Sequence, residues 1–203
     1  GNLSIGVIPS ALLDISELLS QFVSKYRNIN IQVFSMSSNK IEENLHDFKL
    51  DIGFTYLENE PLMSVEKLPL YKEKYFLVTN KKSYQSQTSI PWSECHGIDL
   101  CLISPENQFR RILNSIFLKK NISPNVLIES NSLIHLFSHV SSSSLSTIMP
   151  GSFAKQFNFN NEISFLELTS PSIFHHVGGV YIKDKGPSPI KDRFIKYLNS
   201  IDK

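Results

Sequence analysis

The chain has 203 residues, 41% hydrophobic and 19% charged, a balance that suits a globular protein able to bury its own core. Lys and Arg number 20 against 19 Asp and Glu, which argues against the basic face that gripping nucleic acid requires. Two cysteines, Cys95 and Cys101, are too few for a disulfide framework and match no zinc spacing. No apolar run approaches the roughly 18 residues of a membrane span.

The first 57 residues read as strand, helix, strand, helix, strand. Leu3 to Ile8 alternates and is rich in β-branched residues, which predicts a strand. Pro9 and Ser10 then open a helix, with Leu12, Ile15, Leu19, Phe22 and Tyr26 at helical spacing. Asn30 to Met36 is the second strand. Ser38 is the expected N-cap of a helix from Asn39 to Phe48, and Asp51 to Tyr56 is the third strand. Strands alternating with helices imply βαβ units and a parallel sheet. Val65 to Leu70 and Tyr75 to Val78 follow as two strands, and residues 80 to 93 as a polar surface loop.

A second α/β stretch begins at Ile98 to Ile103. Ser104-Pro105 leads into a helix from Gln108 to Lys120. Asn125 to Glu129 is a strand, Ser132 to Val140 a helix, and Leu145 to Met149 a strand ended by Pro150. Ile163 to Leu168 and Val177 to Ile182 are later strands. Pro189 suits the first turn of a last helix, Ile190 to Ile201. If the final strand and helix return to the first half, two strands cross between lobes and leave a cleft.

Ligands of open α/β sheets bind beyond the carboxyl ends of the strands. Pro9, Ser10, Ser37, Ser38, Thr55, Ser104, Asn131 and Pro150 all fall at such ends and are the candidate effector-binding residues. Three of these ends feed helix N-termini, whose free N–H groups and dipole favour a small anion. Ser and Asn there are also ordinary helix caps, and the two roles coexist. His135 and His139, four apart, could share a metal, but no carboxylate or Cys nearby completes a ligand set. His175-His176 would point to opposite strand faces. Arg110-Arg111 read as solvated, with one able to reach an anion. G-x-S-x-G, P-loop and G-x-G-x-x-G patterns are all missing, so no catalytic residue, metal or cofactor is assigned.

The opening Gly1-Asn-Leu-Ser-Ile-Gly-Val-Ile-Pro-Ser10 resembles the start of the effector domain of LysR-type transcription regulators. Gln21-Phe-Val-Ser-Lys-Tyr26, Leu50-Asp-Ile-Gly-Phe54 and Leu68-Pro-Leu-Tyr-Lys-Glu73 are similar to later motifs of that family, in order. In Gln21 to Tyr26, Arg27 follows where the family usually has Pro. Leu100-Cys-Leu-Ile-Ser104, Ile128-Glu-Ser-Asn-Ser132 and Leu145-Ser-Thr-Ile-Met-Pro150 resemble the subgroup of cyanate-operon regulators. Ser141 to Ser144 departs from the family's commoner Gly-containing turn.

The resemblance implies an α/β fold of two Rossmann-like lobes with a hinge, of the type 2 periplasmic-binding-protein-like kind. Lobe I would take residues 1–73 and 172–203, lobe II residues 74–171. It places Ser10 and Ser38 against an effector held between lobes, with cyanate or formate as the subgroup's guess. DNA binding would fall to a winged helix-turn-helix preceding Gly1. The chain opens without Met or a signal peptide, which reads as an excised fragment or a processed protein. A cytoplasmic homodimer of this domain, tetrameric when full-length and without membrane contact, completes the expectation. The alternative is a periplasmic solute-binding protein of a transporter, which a signal peptide in the full gene would favour. An enzyme on this fold is the third reading, disfavoured for want of a nucleophile–base or metal constellation.

Overall fold

The computed structural model describes residues 1–157, 162–183 and 188–201. In chain order the elements are β1 (Asn2–Val7), α1 (Leu12–Lys25), β2 (Asn30–Ser35), α2 (Ser38–His46), β3 (Ile52–Tyr56), β4 (Glu66–Thr79) and β5 (Ser89–Pro91). There follow β6 (Asp99–Ile103), α3 (Gln108–Lys119), β7 (Asn125–Ser130), α4 (Leu133–Ser142), β8 (Thr147–Pro150), α5 (Gly151–Phe157), β9 (Ser164–Thr169), β10 (Phe174–Tyr181) and α6 (Pro189–Ser200). They form two compact units, Gly1–Lys72 with His175–Lys203, and Glu73–Phe174.

In the first unit β1 lies between β2 and β3, parallel to both. Its alternation puts Leu3, Ile5 and Val7 wholly inside. β10 pairs antiparallel with β3, so the sheet is mixed and not purely parallel as the alternating pattern implied. The return of the chain through β10 explains this: a strand entering from the second unit runs against its neighbour. β4 flanks β10 on the other side. Gly178 permits that approach, because a methyl group there would collide with the Leu68 carbonyl. α1 buries Ile15 and Phe22, seven apart and so on one helix face. The Phe22 ring meets Phe194 of α6 at 4.8 Å, and Phe194 meets Phe54 of β3 at 6.2 Å. These aromatic contacts fix both helices over the sheet.

In the second unit β8 and β9 both pair antiparallel with the later half of β4, and β5 pairs parallel with β9. β6 and β7 form a parallel pair, shifted in register between Leu100 and Cys101. Two expectations fail here. Residues 66–79 form one continuous strand, not two strands around a break. Lys72 and Lys74 are exposed while Glu73 and Tyr75 are buried, so the charges mark the outer face of a strand. The stretch 80–93 is not a plain loop either. It carries β5 and runs into a short 3-10 turn, Trp92–Cys95. Trp92 is fully buried there, 5.9 Å from the Tyr75 ring and 6.4 Å from Phe117. α5, directly after Pro150, was also not foreseen.

Candidate functional site

The carboxyl ends of β1, β2 and β3 come together in the first unit. Ile8 N–H donates to the Phe54 carbonyl, and Met36 N–H to the Val7 carbonyl, each at 3.1 Å. The three chains therefore leave the sheet side by side, bringing Pro9-Ser10, Ser37-Ser38 and Thr55-Tyr56 to one edge. Ser10 and Thr55 are each 1% exposed and Ser38 is 5% exposed. Burying a hydroxyl without a partner is costly, so these groups are committed to specific contacts. The Ser10 and Tyr56 hydroxyls share a buried hydrogen bond of 3.0 Å. The His175 ring, at the start of β10, stands edge-on to Tyr56 with centroids 6.3 Å apart. Its neighbour His176 pairs through Nδ1 with Glu58. That hydrogen bond is the chief cause holding the Glu58 carboxyl below its usual range.

Two capping expectations are corrected. Ser10 caps nothing: the entries to the Pro9–Ala11 turn and to α1 have no side-chain cap. The α2 cap is Ser37, whose Oγ accepts from Lys40 N–H at 3.4 Å. Ser38 is the first helical residue, one place inside. At the α1 entry the N-cap residue Ala11 makes no side-chain cap, and Asp14 stands in the first turn.

The second unit treats its strand-end residues differently. Ser104 is half-buried, and its Oγ donates to Glu106 Oε1 at 2.6 Å. That bond is the leading cause of a lowered Glu106 carboxyl. Asn107, not Ser104, stands at the N-cap of α3. Asn131 is exposed, and Ser132 caps α4 by accepting from His135 N–H. Pro150 is buried at the end of β8, opposite Tyr75. Arg110 is not solvated: it is 7% exposed and donates to Glu129 at 2.8 Å, the Ile103 carbonyl at 2.9 Å and Asn114 at 2.9 Å. Arg111 ties down the Pro105 and Glu106 carbonyls. Both side chains are occupied in holding the turn after β6.

Sequence reasoning did not single out Ser152, and it left Tyr56 and His175 outside the candidate set. Tyr56 follows Thr55 at the end of the third strand, and His175-His176 read as a pair on opposite strand faces. Ser152, two places past Pro150 in α5, is 6% exposed and its hydroxyl lacks a hydrogen-bond partner. A Ser two places after the strand-ending Pro150 was the available signal. The His135 and His139 rings lie 4.6 Å apart, tilted at 59° to one another, with His135 Nδ1 2.9 Å from Ser130 Oγ. Among the described residues no three His, Cys, Asp or Glu side chains are placed to hold a metal ion. Burial pushes the Cys95 thiol up to about 12 and raises Cys101 as well. Such thiols are poor nucleophiles. No helix among the described residues is long and apolar enough to cross a membrane.

The LysR substrate binding domain family matches residues 1–201. The chain is 24% identical over 187 residues to YybE, an uncharacterized HTH-type transcriptional regulator of Bacillus subtilis (strain 168), covering 92% of this chain and 63% of that protein. The regulatory domain of CcmR from Synechocystis PCC6803, solved in complex with 2-PG, superposes with a TM-score of 0.86 at 16% identity, over 98% of this chain and 95% of that one. The effector binding domain of QuiR in complex with shikimate superposes with a TM-score of 0.80 at 22% identity, with the same coverage. The fold is thus the α/β, two-lobed, periplasmic-binding-protein-like type. The chain belongs to the LysR substrate binding domain family, the effector-binding part of a class of transcription regulators.

Proposed function

We propose that this domain senses a small anionic metabolite, and that Ser10, Ser38 and Thr55 supply donors for it. The observation that carries the reading is the gathering of three buried hydroxyl residues at the carboxyl edge of β1–β3, beside an uncapped helix entry. Pro9 and Ser37 shape that edge. In the second unit Ser104, Asn131 and Pro150 stand at the corresponding strand ends, with Ser152 added as a buried donor. Two similar domains are solved with 2-PG and with shikimate, which supports a small-molecule effector. An anion as small as cyanate or formate buries little area, so affinity lies in the micromolar to millimolar range, roughly −8 to −4 kcal/mol.

Binding shifts an equilibrium of the domain, limited by the ligand's differential affinity for the states involved. The two chain crossings, at residues 72–73 and 174–175, are where that shift is absorbed. In the intact cytoplasmic regulator it would reach a DNA-binding domain ahead of Gly1. The experiment is a titration with cyanate, formate, azide and small carboxylates, read by backbone chemical shifts. Binding of neutral or cationic metabolites at Ser10 and Ser38, with no anion binding there, contradicts the reading.

The same domain pairs with a second copy. Val23, Val33 and Phe34 in the first unit, and Leu118, Leu127 and Ile134 in the second, are exposed apolar side chains of the kind that mark an interface when grouped. Sedimentation at high concentration is expected to show a dimer that Phe34→Glu weakens. A monomer at every concentration contradicts self-association of this domain.

A further inference from the structure

We propose that Tyr56 is a positioning residue of the anion site: its hydroxyl donates to Ser10 Oγ and so leaves the single Ser10 hydroxyl proton for the bound anion. This role presupposes the anion reading above and adds a residue that the anion itself does not touch.

Two neighbouring parallel strands bring the pair together. Val7 of β1 stands opposite Phe54 of β3, and Ile8 N–H donates to the Phe54 carbonyl. Ser10 follows Ile8 by two residues and Tyr56 follows Phe54 by two, so both lie at the same strand edge. Phe54 and Tyr56 present their side chains to one face of β3, and both are fully buried. Phe54 shows that a plain aromatic ring suits this face; the Tyr56 hydroxyl is the added group. A buried phenol needs a partner, and this one meets the Ser10 hydroxyl at 3.0 Å. The backbone of Tyr56 is fixed opposite Val177 of β10, and the His175 ring stands edge-on to its ring.

Proton counting gives the direction of the bond. A serine hydroxyl has one proton and two lone pairs. Ser10 spends none of them on a helix cap, since the entries to the Pro9–Ala11 turn and to α1 have no side-chain cap. Once Ser10 donates to an anion, its 3.0 Å contact with Tyr56 survives only with Tyr56 as the donor. A phenol O–H is more acidic than an alcohol O–H, so this is also the stronger arrangement. Donation from Tyr56 polarises the Ser10 O–H toward the ligand, because hydrogen bonds in a chain strengthen one another. In the opposite direction Ser10 has no proton to offer, and an anion meets its lone pairs.

The test is a double-variant cycle, read by calorimetric titration with sodium formate, azide and acetate as probes. Tyr56→Phe keeps the ring and removes only the hydroxyl. It should weaken the best-bound probe by about 2- to 10-fold, and Ser10→Ala by about 2- to 13-fold. In the Ser10→Ala background, Tyr56→Phe should change affinity by less than about 2-fold, because the proton it directs is gone. A merely structural loss would not vanish in that background. Without any substitution, the Tyr56 13Cζ resonance of the 13C-tyrosine-labelled chain should shift saturably, with the midpoint of the Ser10 amide. A loss at Ser10→Ala with none at Tyr56→Phe overturns the proposal and leaves the anion reading standing. A Tyr56→Phe loss of equal size in both backgrounds, or a stationary 13Cζ resonance, overturns it as well. If no probe binds the parent chain, or Ser10→Ala binds as the parent does, the anion reading falls and this role with it.

Discussion

Ser10 and Ser104 occupy corresponding places, each just past the carboxyl end of a strand with a parallel neighbour, and they meet different surroundings. Ser10 is enclosed, with its hydroxyl against Tyr56 and the buried Thr55 and Ser38 at the same edge. Ser104 bonds the carboxylate two residues on, and the nearby guanidinium of Arg110 is fully engaged with Glu129, Asn114 and a carbonyl. The first unit thus gathers buried hydroxyls at one strand edge, whereas the polar groups beside Ser104 build a turn. Strand-end position alone does not fix a side chain's surroundings: Ser10 is 1% exposed and Ser104 half-buried.

The largest effect expected from this contrast is structural and falls in the second unit. Arg110→Ala would leave the turn after β6 without its three hydrogen bonds. Removing one partner of a buried pair costs about 3–5 kcal/mol; Glu129 is 45% exposed, so the lower end applies. Urea unfolding measures this. The anion affinity of the surviving folded protein should not change. If that affinity collapses while stability is kept, Arg110 is a ligand residue and the contrast between the units is wrong.

A smaller effect separates two adjacent serines of the first unit. Ser37→Ala should cost about 1 kcal/mol of stability by loss of the α2 cap, with little change in effector affinity. Ser38→Ala should spare the cap and weaken the effector by about 0.5–1.5 kcal/mol. Thermal unfolding and calorimetric titration of the two variants distinguish the roles, and a reversed pattern would put the cap at Ser38 after all.

The smallest effect concerns Glu58 and His176. The folded Glu58 pKa is lowered, first by its hydrogen bond to His176. The contribution to stability is therefore complete above the ordinary glutamate value of 4.5 and is lost as pH falls through the lower folded value. With side chains 33% and 48% exposed, solvent screening keeps it below about 1 kcal/mol. Glu58→Gln should flatten that small acid-side slope in denaturant midpoints measured from pH 6 to pH 3. An unchanged slope means that the pair contributes nothing.

The first unit was the more legible of the two, and the reason is physical. Leu3, Ile5 and Val7 alternate because β1 has a buried face, and Ile15 and Phe22 recur because α1 lies flat on the sheet. Such periodicities survive in sequence. The one-residue error at Ser37 and Ser38 arose because both are good caps by type, and only the backbone turn decides between them. In the second unit the errors came from tertiary context. Residues 71–74 looked like a break because Lys72 and Lys74 are charged, yet they are the outward positions of a continuous β4. Trp92 sits in a polar stretch and is buried by partners far away in sequence, Tyr75 and Phe117. Of the site, the hydroxyl residues could be named from strand ends. The meeting of Tyr56 with His175 could not, because only the pairing of β3 with β10 brings them together.

The central claim is that the buried hydroxyl edge of the first unit receives a small anion. Calorimetric titration of cyanate, formate and small carboxylates into the parent chain and into Ser10→Ala tests it most directly. At least one anion should bind the parent saturably, and the Ser10→Ala variant should bind it more weakly by about 0.5–1.5 kcal/mol, or about 2- to 13-fold. Equal affinity of both proteins for every anion that binds would remove Ser10 and its edge from the site.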